Sequence, residues 1–314
     1  MNSESSSYEL ISESLGYSYG KRRALDGVSF QVERGDIFGF LGPNGGGKTT
    51  LFRILATLAC PQGGRVQAFG YDLMTSPAAV RRHLGVVFQA PSSDAHLSLS
   101  ENLRHQGHLY GLYGKSLRRK IRRLLERFSL EDRSKELVRT LSGGMRRRLD
   151  IAKALLHEPR LLLLDEPSSG LDPGARRGLW SLLEELRSDE KVTVLLTTHF
   201  MEEADRCDQL VLLDEGKIVG SGSPADLKNE IGGNVVTVVS DDPANLATDI
   251  EQEFGIVSEV RQNELRFEHP SAHEFVGELA GKYSELIDSV SVSRPSLEDV
   301  FIQRTGRGLV EERR

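Results

Sequence analysis

The stretch GPNGGGKTT, residues 42–50, constrains this chain more than any other. It fits G-x-x-x-x-G-K-[ST], with Gly42, Gly47, Lys48 and Thr49 in the fixed places. Apolar IFGFL (37–41) precedes it and TTLFRILATL (49–58) follows. The loop therefore joins a buried strand to a helix, and Cys60-Pro61 is expected to end that helix. In this setting the glycines let successive backbone N–H groups turn inward around an anion, and the helix adds its positive end. Lys48 is placed to reach β- and γ-phosphates, and the Thr49 hydroxyl to ligate Mg²⁺.

What surrounds the loop is an α/β pattern. Short alternating segments between Ser14 and Glu33, such as VSFQVE, predict antiparallel strands. GRVQAFG and HLGVVFQ read as further strands, and residues from about 98 to 153 turn helical and basic. RLLLLDEP, KVTVLLTTH and QLVLLDEGKIVGSG then alternate with the helices ARRGLWSLLEELRS and MEEADRC. Apolar runs of this length suit parallel strands covered on both faces. After about Leu227 a smaller β/α segment follows, with no glycine loop and no cluster of catalytic residue types.

Three strand ends carry chemistry, because an open α/β sheet holds its ligand at the carboxyl ends of its strands. Asp165 ends LLLLD and can hold Mg²⁺ through water, while Glu166 beside it can polarise an attacking water as general base. His199 ends VTVLLTTH and can contact the γ-phosphate. Gln89, after VVF, is a weaker candidate for a metal or water ligand.

Composition narrows the class. The chain has 314 residues and a net charge of −6, a poor start for sequence-independent DNA binding. Its two cysteines, Cys60 and Cys207, lie far apart without a CxxC pattern, which argues for a reducing compartment and against a zinc site. The polar N-terminus MNSESSSYEL predicts no signal peptide, and no run approaches the ~18 apolar residues of a membrane span. If the protein serves a membrane, the spans belong to another chain.

LSGGM (141–145) raises a separate question. A helix opening on Ser142, Gly143 and Gly144 is itself an anion site, about a hundred residues from the first. Spacing does not decide whether it reaches the same nucleotide or another molecule's. Taken in order, GPNGGGKTT, Gln89, LSGGM, LLLLDEP, SSGLD (168–172) and His199 resemble the nucleotide-binding subunit of an ABC transporter, over roughly residues 10–225. LSGGM followed by arginines, and PSLEDVFIQRTGR (295–307), resemble the drug-export, ABC-2-type branch.

That resemblance implies a P-loop NTPase core of ABC type over residues 10–227, with an antiparallel β subdomain and an inserted helical subdomain at about 92–157. Residues 1–9 would be a disordered tail and 228–314 a small accessory domain. It implies ATP and Mg²⁺ as cofactors. Tyr19, with Tyr17 as fallback, would stack on adenine. Pro43, Asn44, Gly45, Gly46, Gly47, Lys48, Thr49 and Thr50 would surround the phosphates and metal, and Gln89 would link the metal site to a membrane partner. Ser142, Gly143 and Gly144 would serve the γ-phosphate held by an opposite subunit, and Asp172 would lie at the dimer interface. Glu166 and His199 would complete hydrolysis.

Two identical chains would thus sandwich two ATP molecules head to tail. They would power export of a drug-, lipid- or polysaccharide-type substrate through a separate permease, from the cytoplasmic face of the membrane and without nucleic acid. Met145 stands where the family has glutamine and Gly46 where alanine is common; neither change removes a catalytic group. Two alternatives are weighed. A soluble ABC ATPase acting on nucleic acid or ribosomes usually carries long coiled coils or a second ATPase domain, and the LEDVF segment argues against an importer.

Two remaining features read more simply. Arg118, Arg119, Lys120, Arg122 and Arg123 suit a solvated helix face better than a contact with anionic lipid or a membrane partner's loops, and Arg146–Arg148 read the same way, with support of the positive field behind LSGG as the alternative. His105 and His108, three apart on a helix, lack further metal ligands nearby.

Overall fold

A computed structural model describes residues 7–308. The chain divides into two compact units that meet between Ser223 and Pro224.

The first unit opens with a long hairpin, β1 (Tyr8–Tyr19) and β2 (Arg22–Glu33), followed by β3 (Ile37–Leu41), the glycine loop and α1 (Lys48–Leu55). Next come β4 (Gly63–Ala68), β5 (Tyr71–Asp72), α2 (Pro77–Arg81) and β6 (Leu84–Val87). Three helices follow: α3 (Leu99–Leu109), α4 (Gly114–Arg127) and α5 (Gly143–Leu155). The unit closes with β7 (Leu161–Asp165), α6 (Pro173–Glu190), β8 (Thr193–Thr198), α7 (Met201–Ala204), β9 (Gln209–Asp214) and β10 (Lys217–Gly222).

These strands form two sheets. One is antiparallel, in the order β2-β1-β4-β5. The other runs β10-β9-β3-β8-β7-β6, parallel except for the hairpin strand β10. Every residue of β3, β7 and β8 is buried, which is why their sequences are unbroken apolar runs rather than alternating ones. The sheets pack through Leu10, Leu25, Val28 and Phe30 of the hairpin against Phe38, Phe40, Leu51, Phe52 and Leu163.

Register fixes the functional edge. Leu41 pairs with Thr198 and Leu212, Asp165 with Thr197, and Val87 with Leu164. The chain therefore leaves β3, β8, β7 and β6 along one edge of the sheet, into the glycine loop, His199, Glu166 and Gln89 respectively.

Two details depart from the sequence reading. The first strand begins at Tyr8, and Glu9 is 2 % exposed, so residues 8 and 9 are not tail; residues 1–6 lie outside the described residues. Arg160 grips the Glu9 carboxylate in two hydrogen bonds of 2.6 and 3.2 Å, a partner 151 residues away that no local pattern signals. The helix after the glycine loop also ends early, at Leu55 rather than near Cys60, because Thr57 takes a left-handed φ of 60°.

The second unit contains α8 (Pro224–Asn229), β11 (Asn234–Val239), α9 (Pro243–Phe254) and β12 (Glu259–Arg261), then β13 (Glu264–His269), α10 (Ala272–Lys282), β14 (Ser289–Ser293) and α11 (Leu297–Thr305). Its antiparallel sheet has the order β12-β13-β11-β14. Val236, Val238, Leu265 and Phe267 bury one face under Leu246 and Ile250 of α9 and Phe275 and Leu279 of α10. Ser296 and Asp299 form a capping box that starts α11 within the PSLEDVF segment.

Candidate functional site

The glycine loop is pressed against the end of β9. A Cβ on Gly42 would sit 2.1 Å from the Leu213 carbonyl, and Gly47 adopts φ 109° with the Ala24 carbonyl 2.6 Å from where its Cβ would be. Any side chain at either position would push the loop off its wall. Gly45 and Asn44 face solvent, Gly46 donates its N–H to Pro43 at 3.1 Å, and Thr49 lies exposed on the first turn of α1 while Thr50 is buried. Arg22 donates to the Gly45 carbonyl at 3.3 Å, which ties the hairpin turn to the loop. Tyr19 pairs with Arg22 across that turn, is 47 % exposed, and meets Tyr17 edge-on at 5.0 Å. Tyr17 packs on the core, so Tyr19 presents the freer ring face.

Lys48 is 4 % exposed. Its ammonium donates to the carbonyls of Gly42 (2.7 Å) and Pro43 (3.0 Å) and lies 3.7 Å from a Glu166 carboxylate oxygen. Burial draws its pKa below the ordinary lysine value, against the opposing pull of Glu166 and Asp165. Glu166 collects three side chains in all. Besides Lys48, Gln89 Nε2 approaches its Oε2 to 3.4 Å and His199 Nδ1 to 3.5 Å, the histidine contact without a hydrogen bond.

The backbone of Glu166 is strained, with φ 44°. A non-glycine residue holds such a conformation only when its surroundings over-determine it, at roughly 1–3 kcal/mol. Thr197 is one restraint: its Oγ1 accepts the Glu166 N–H at 2.9 Å and donates to Asp165 at 2.7 Å. Burial raises the Asp165 pKa, and the Thr197 hydrogen bond opposes the rise. Thr197→Val keeps the shape and deletes both bonds. We expect it to lower ATP turnover about tenfold, in line with a lost buried hydrogen bond of ~1.4 kcal/mol, as read by steady-state phosphate release. Turnover within twofold of the parent would remove Thr197 from this role.

Arg147 is the second restraint, and the arginine run in the sequence did not single it out. It is 8 % exposed. Its guanidinium donates to the carbonyls of Phe88 (2.6 Å), Pro167 (2.8 Å), Asp165 (2.9 Å) and Glu166 (3.2 Å). Burial lowers its pKa, with Asp150 and Asp165 opposing. One sequence signal was available: Arg147 lies on the same helical stripe as buried Ile151, Ala154 and Leu155.

The LSGG tip lies at the start of α5, with Ser142 as N-cap accepting from Met145 N–H at 3.3 Å. Ser142 and Gly143 are exposed. The two glycines differ in their surroundings. A Cβ on Gly144 would come within 2.8 Å of the Ala175 Cβ on α6, whereas on Gly143 it would meet only Leu171, at 3.9 Å. Gly144→Ala must therefore displace α5 from α6, and we expect a loss of about 1–3 kcal/mol in denaturant unfolding. Gly143→Ala should unfold within about 0.5 kcal/mol of the parent. If Gly143→Ala nevertheless abolishes turnover, the space it needs lies outside its own chain. Asp172 caps α6, accepting from Ala175 N–H at 2.9 Å, and this bond draws its pKa below the usual aspartate value.

Of the sequence-predicted residues, Lys48, Gln89, Glu166 and His199 converge on one point, Asp165 adjoins them, and the glycine loop surrounds Lys48. Among the described residues, no hydrogen bond or ion pair joins Ser142, Gly143 or Asp172 to that cluster. His105 and His108 form no metal group: among the described residues, no three His, Cys, Asp or Glu side chains gather to hold an ion.

The chain is similar to known proteins over most of its length. Residues 25–169 match the ABC transporter family, and residues 222–305 match the C-terminal domain of DrrA1-3-like ATP-binding proteins. The daunorubicin resistance ATP-binding protein DrrA3 of Streptomyces coeruleorubidus is 38 % identical over 92 % of this chain and 93 % of its own. The Nod factor export ATP-binding protein I of Ralstonia nicotianae is 44 % identical over 75 % of this chain and 74 % of its own. Among solved structures, an ATP-binding subunit of an ABC transporter aligns with TM-score 0.64 and 33 % identity, covering 71 % of this chain and 93 % of that one. A dimeric ATP-binding cassette in a post-hydrolysis state, with ADP and phosphate bound, aligns with TM-score 0.61 and 25 % identity over 68 % of this chain and 98 % of its own. The glycine loop, the carboxylates at the end of β7 and the LSGG tip thus sit within a likeness that runs through both units, and the chain belongs to the ATP-hydrolysing, ATP-binding subunits of ABC exporters.

Proposed function

We propose that this subunit hydrolyses MgATP at sites shared between two copies of itself and so drives a separate membrane permease. The observation that carries the reading is the convergence of Lys48, Gln89 and His199 on the Glu166 carboxylate, all within 3.4–3.7 Å.

Glu166 is the general base that takes a proton from the attacking water, and His199 orients that water and the γ-phosphate. Lys48 exchanges its loop carbonyls for β- and γ-phosphate oxygens, and the Gly45–Thr50 backbone cradles the remaining charge. Tyr19 offers its exposed ring to adenine. The Thr49 hydroxyl, the Gln89 amide and the Asp165 carboxylate supply only oxygen donors. That set suits a magnesium ion held mainly by phosphates and water rather than by a protein cage. Held by Thr49, Gln89 and Asp165, such an ion would supply neutralising charge to the phosphates.

Among the described residues, Ser142, Gly143 and Gly144 make no hydrogen bond to their own chain's cluster, which supports a head-to-tail pair in which each tip completes the partner's site. Asp172, beside that tip on α6, faces the same interface. No helix among the described residues is long and apolar enough to cross a membrane. The spans therefore come from a permease, to which Gln89 relays the state of the nucleotide, and the subunit works on the cytoplasmic face of the membrane. The C-terminal match and the two export and resistance relatives favour export over the importer and soluble readings.

The test mixes two inactive chains. Ser142→Arg spoils the tip a chain lends, and Lys48→Ala spoils the loop it owns. Each homodimer should be nearly silent. The mixture should regain up to about a quarter of parental turnover, because half of the random dimers hold one intact composite site out of two. Full activity of Ser142→Arg alone would rule out the sandwich.

A further inference from the structure

Helix α5 carries two things at once. Its N-terminus is the exposed Ser142–Gly143 tip, and its inner face holds the loops that present Gln89 and Glu166. Arg147 lies five residues beyond Ser142, roughly 7.5 Å along the axis at 1.5 Å per residue. Four of its five N–H groups are spent on the carbonyls of Phe88, Asp165, Glu166 and Pro167. Phe88 precedes Gln89, and Glu166 is the strained residue itself.

The same face continues the grip. Asp150 accepts from Ser92 (2.9 Å) and Ser93 (2.6 Å), and Lys153 donates to the Ser92 carbonyl at 2.7 Å. No proline interrupts α5 between residues 143 and 155, so it moves as one rod.

We propose that Arg147 is a positioning residue that couples the two nucleotide sites of the dimer through a single chain, an inference that rests on the head-to-tail reading above. In that arrangement the tip of α5 serves the partner's nucleotide while Gln89 and Glu166 serve the chain's own. When the tip closes on the partner's γ-phosphate, α5 shifts, and the guanidinium carries that shift to the carbonyls on either side of the Asp165–Glu166 bond. The planar fork matters here. A lysine keeps the charge but offers one ammonium in place of donors aimed at two loop segments, Phe88 and Asp165–Pro167.

The mixed pair used above makes the coupling measurable. In the Ser142→Arg plus Lys48→Ala mixture the one working site takes its loop and Glu166 from the first chain and its tip from the second. Arg147→Gln is added to the first chain only, or to the second chain only. Arg147 clamps α5 to the Phe88 and Asp165–Pro167 loops, so loosening it should mis-set both the loop that the first chain gives the working site and the tip that the second chain gives it. Turnover should fall at least about tenfold in both placements. Binding of a fluorescent ATP analogue to the Ser142→Arg chain should stay within twofold when Arg147→Gln is added, and melting should confirm that both chains fold. A residue that merely braces its own Glu166 loop lowers turnover in the first placement alone, and one that merely braces its own tip does so in the second alone. Either result, or unchanged turnover in both, overturns the proposal. Arg147→Lys repeats both placements and supplies the reading should Arg147→Gln fail to fold. A parental mixture that recovers nothing fails the sandwich instead, and takes the coupling with it.

Discussion

Glu166→Gln should bind ATP within about twofold of the parent and turn it over about 10³-fold more slowly, in the range lost when a general base is removed. The amide is isosteric and keeps its place among Lys48, Gln89 and His199. It has no basic oxygen with which to take the proton from water. With hydrolysis stalled, the ATP-closed pair should accumulate. Size-exclusion chromatography with ATP should move the mutant from monomer to dimer, and the parent should remain mixed. Turnover within tenfold of the parent would remove Glu166 from the role of base.

Lys48→Met separates function from folding more sharply. Burial lowers the Lys48 pKa, the sign of a charge whose burial opposes folding. Removing the ammonium recovers that cost and forfeits its bonds to Gly42 and Pro43. These changes oppose one another, so the nucleotide-free melting midpoint should move by less than about 4 °C. The response to ATP should vanish. At a hundredfold excess over its dissociation constant, ATP should stabilise the parent by about 2.7 kcal/mol, whereas the mutant's melting curve should stay where it is. Turnover should fall at least about 10³-fold, because nothing replaces the charge stabilisation at the β- and γ-phosphates. An ATP-induced shift equal to the parent's would show that Lys48 does not contact the phosphates.

Much of this site is legible in the sequence, because its parts sit where local rules operate. A buried strand must be apolar, so a polar residue at its end marks the sheet edge, and Asp165, His199 and Gln89 all fall there. The glycine loop carries its conformation in its composition. Arg147 and Thr197 were not found, since their partners come from other strands and from backbone carbonyls that look alike in any sequence. Glu9 reads as tail for the same reason: its partner Arg160 lies 151 residues away in sequence. The different surroundings of Gly143 and Gly144 are equally invisible in the letters, because only the neighbouring α6 distinguishes them.

The left-handed backbone at Glu166 also bears on how the subunit can evolve. Glycine would relax φ 44° at no steric cost, so a population selected for heat tolerance alone should drift toward glycine at this position and away from transport. Selection for the proposed role of Glu166 as base is what would hold glutamate there against that drift.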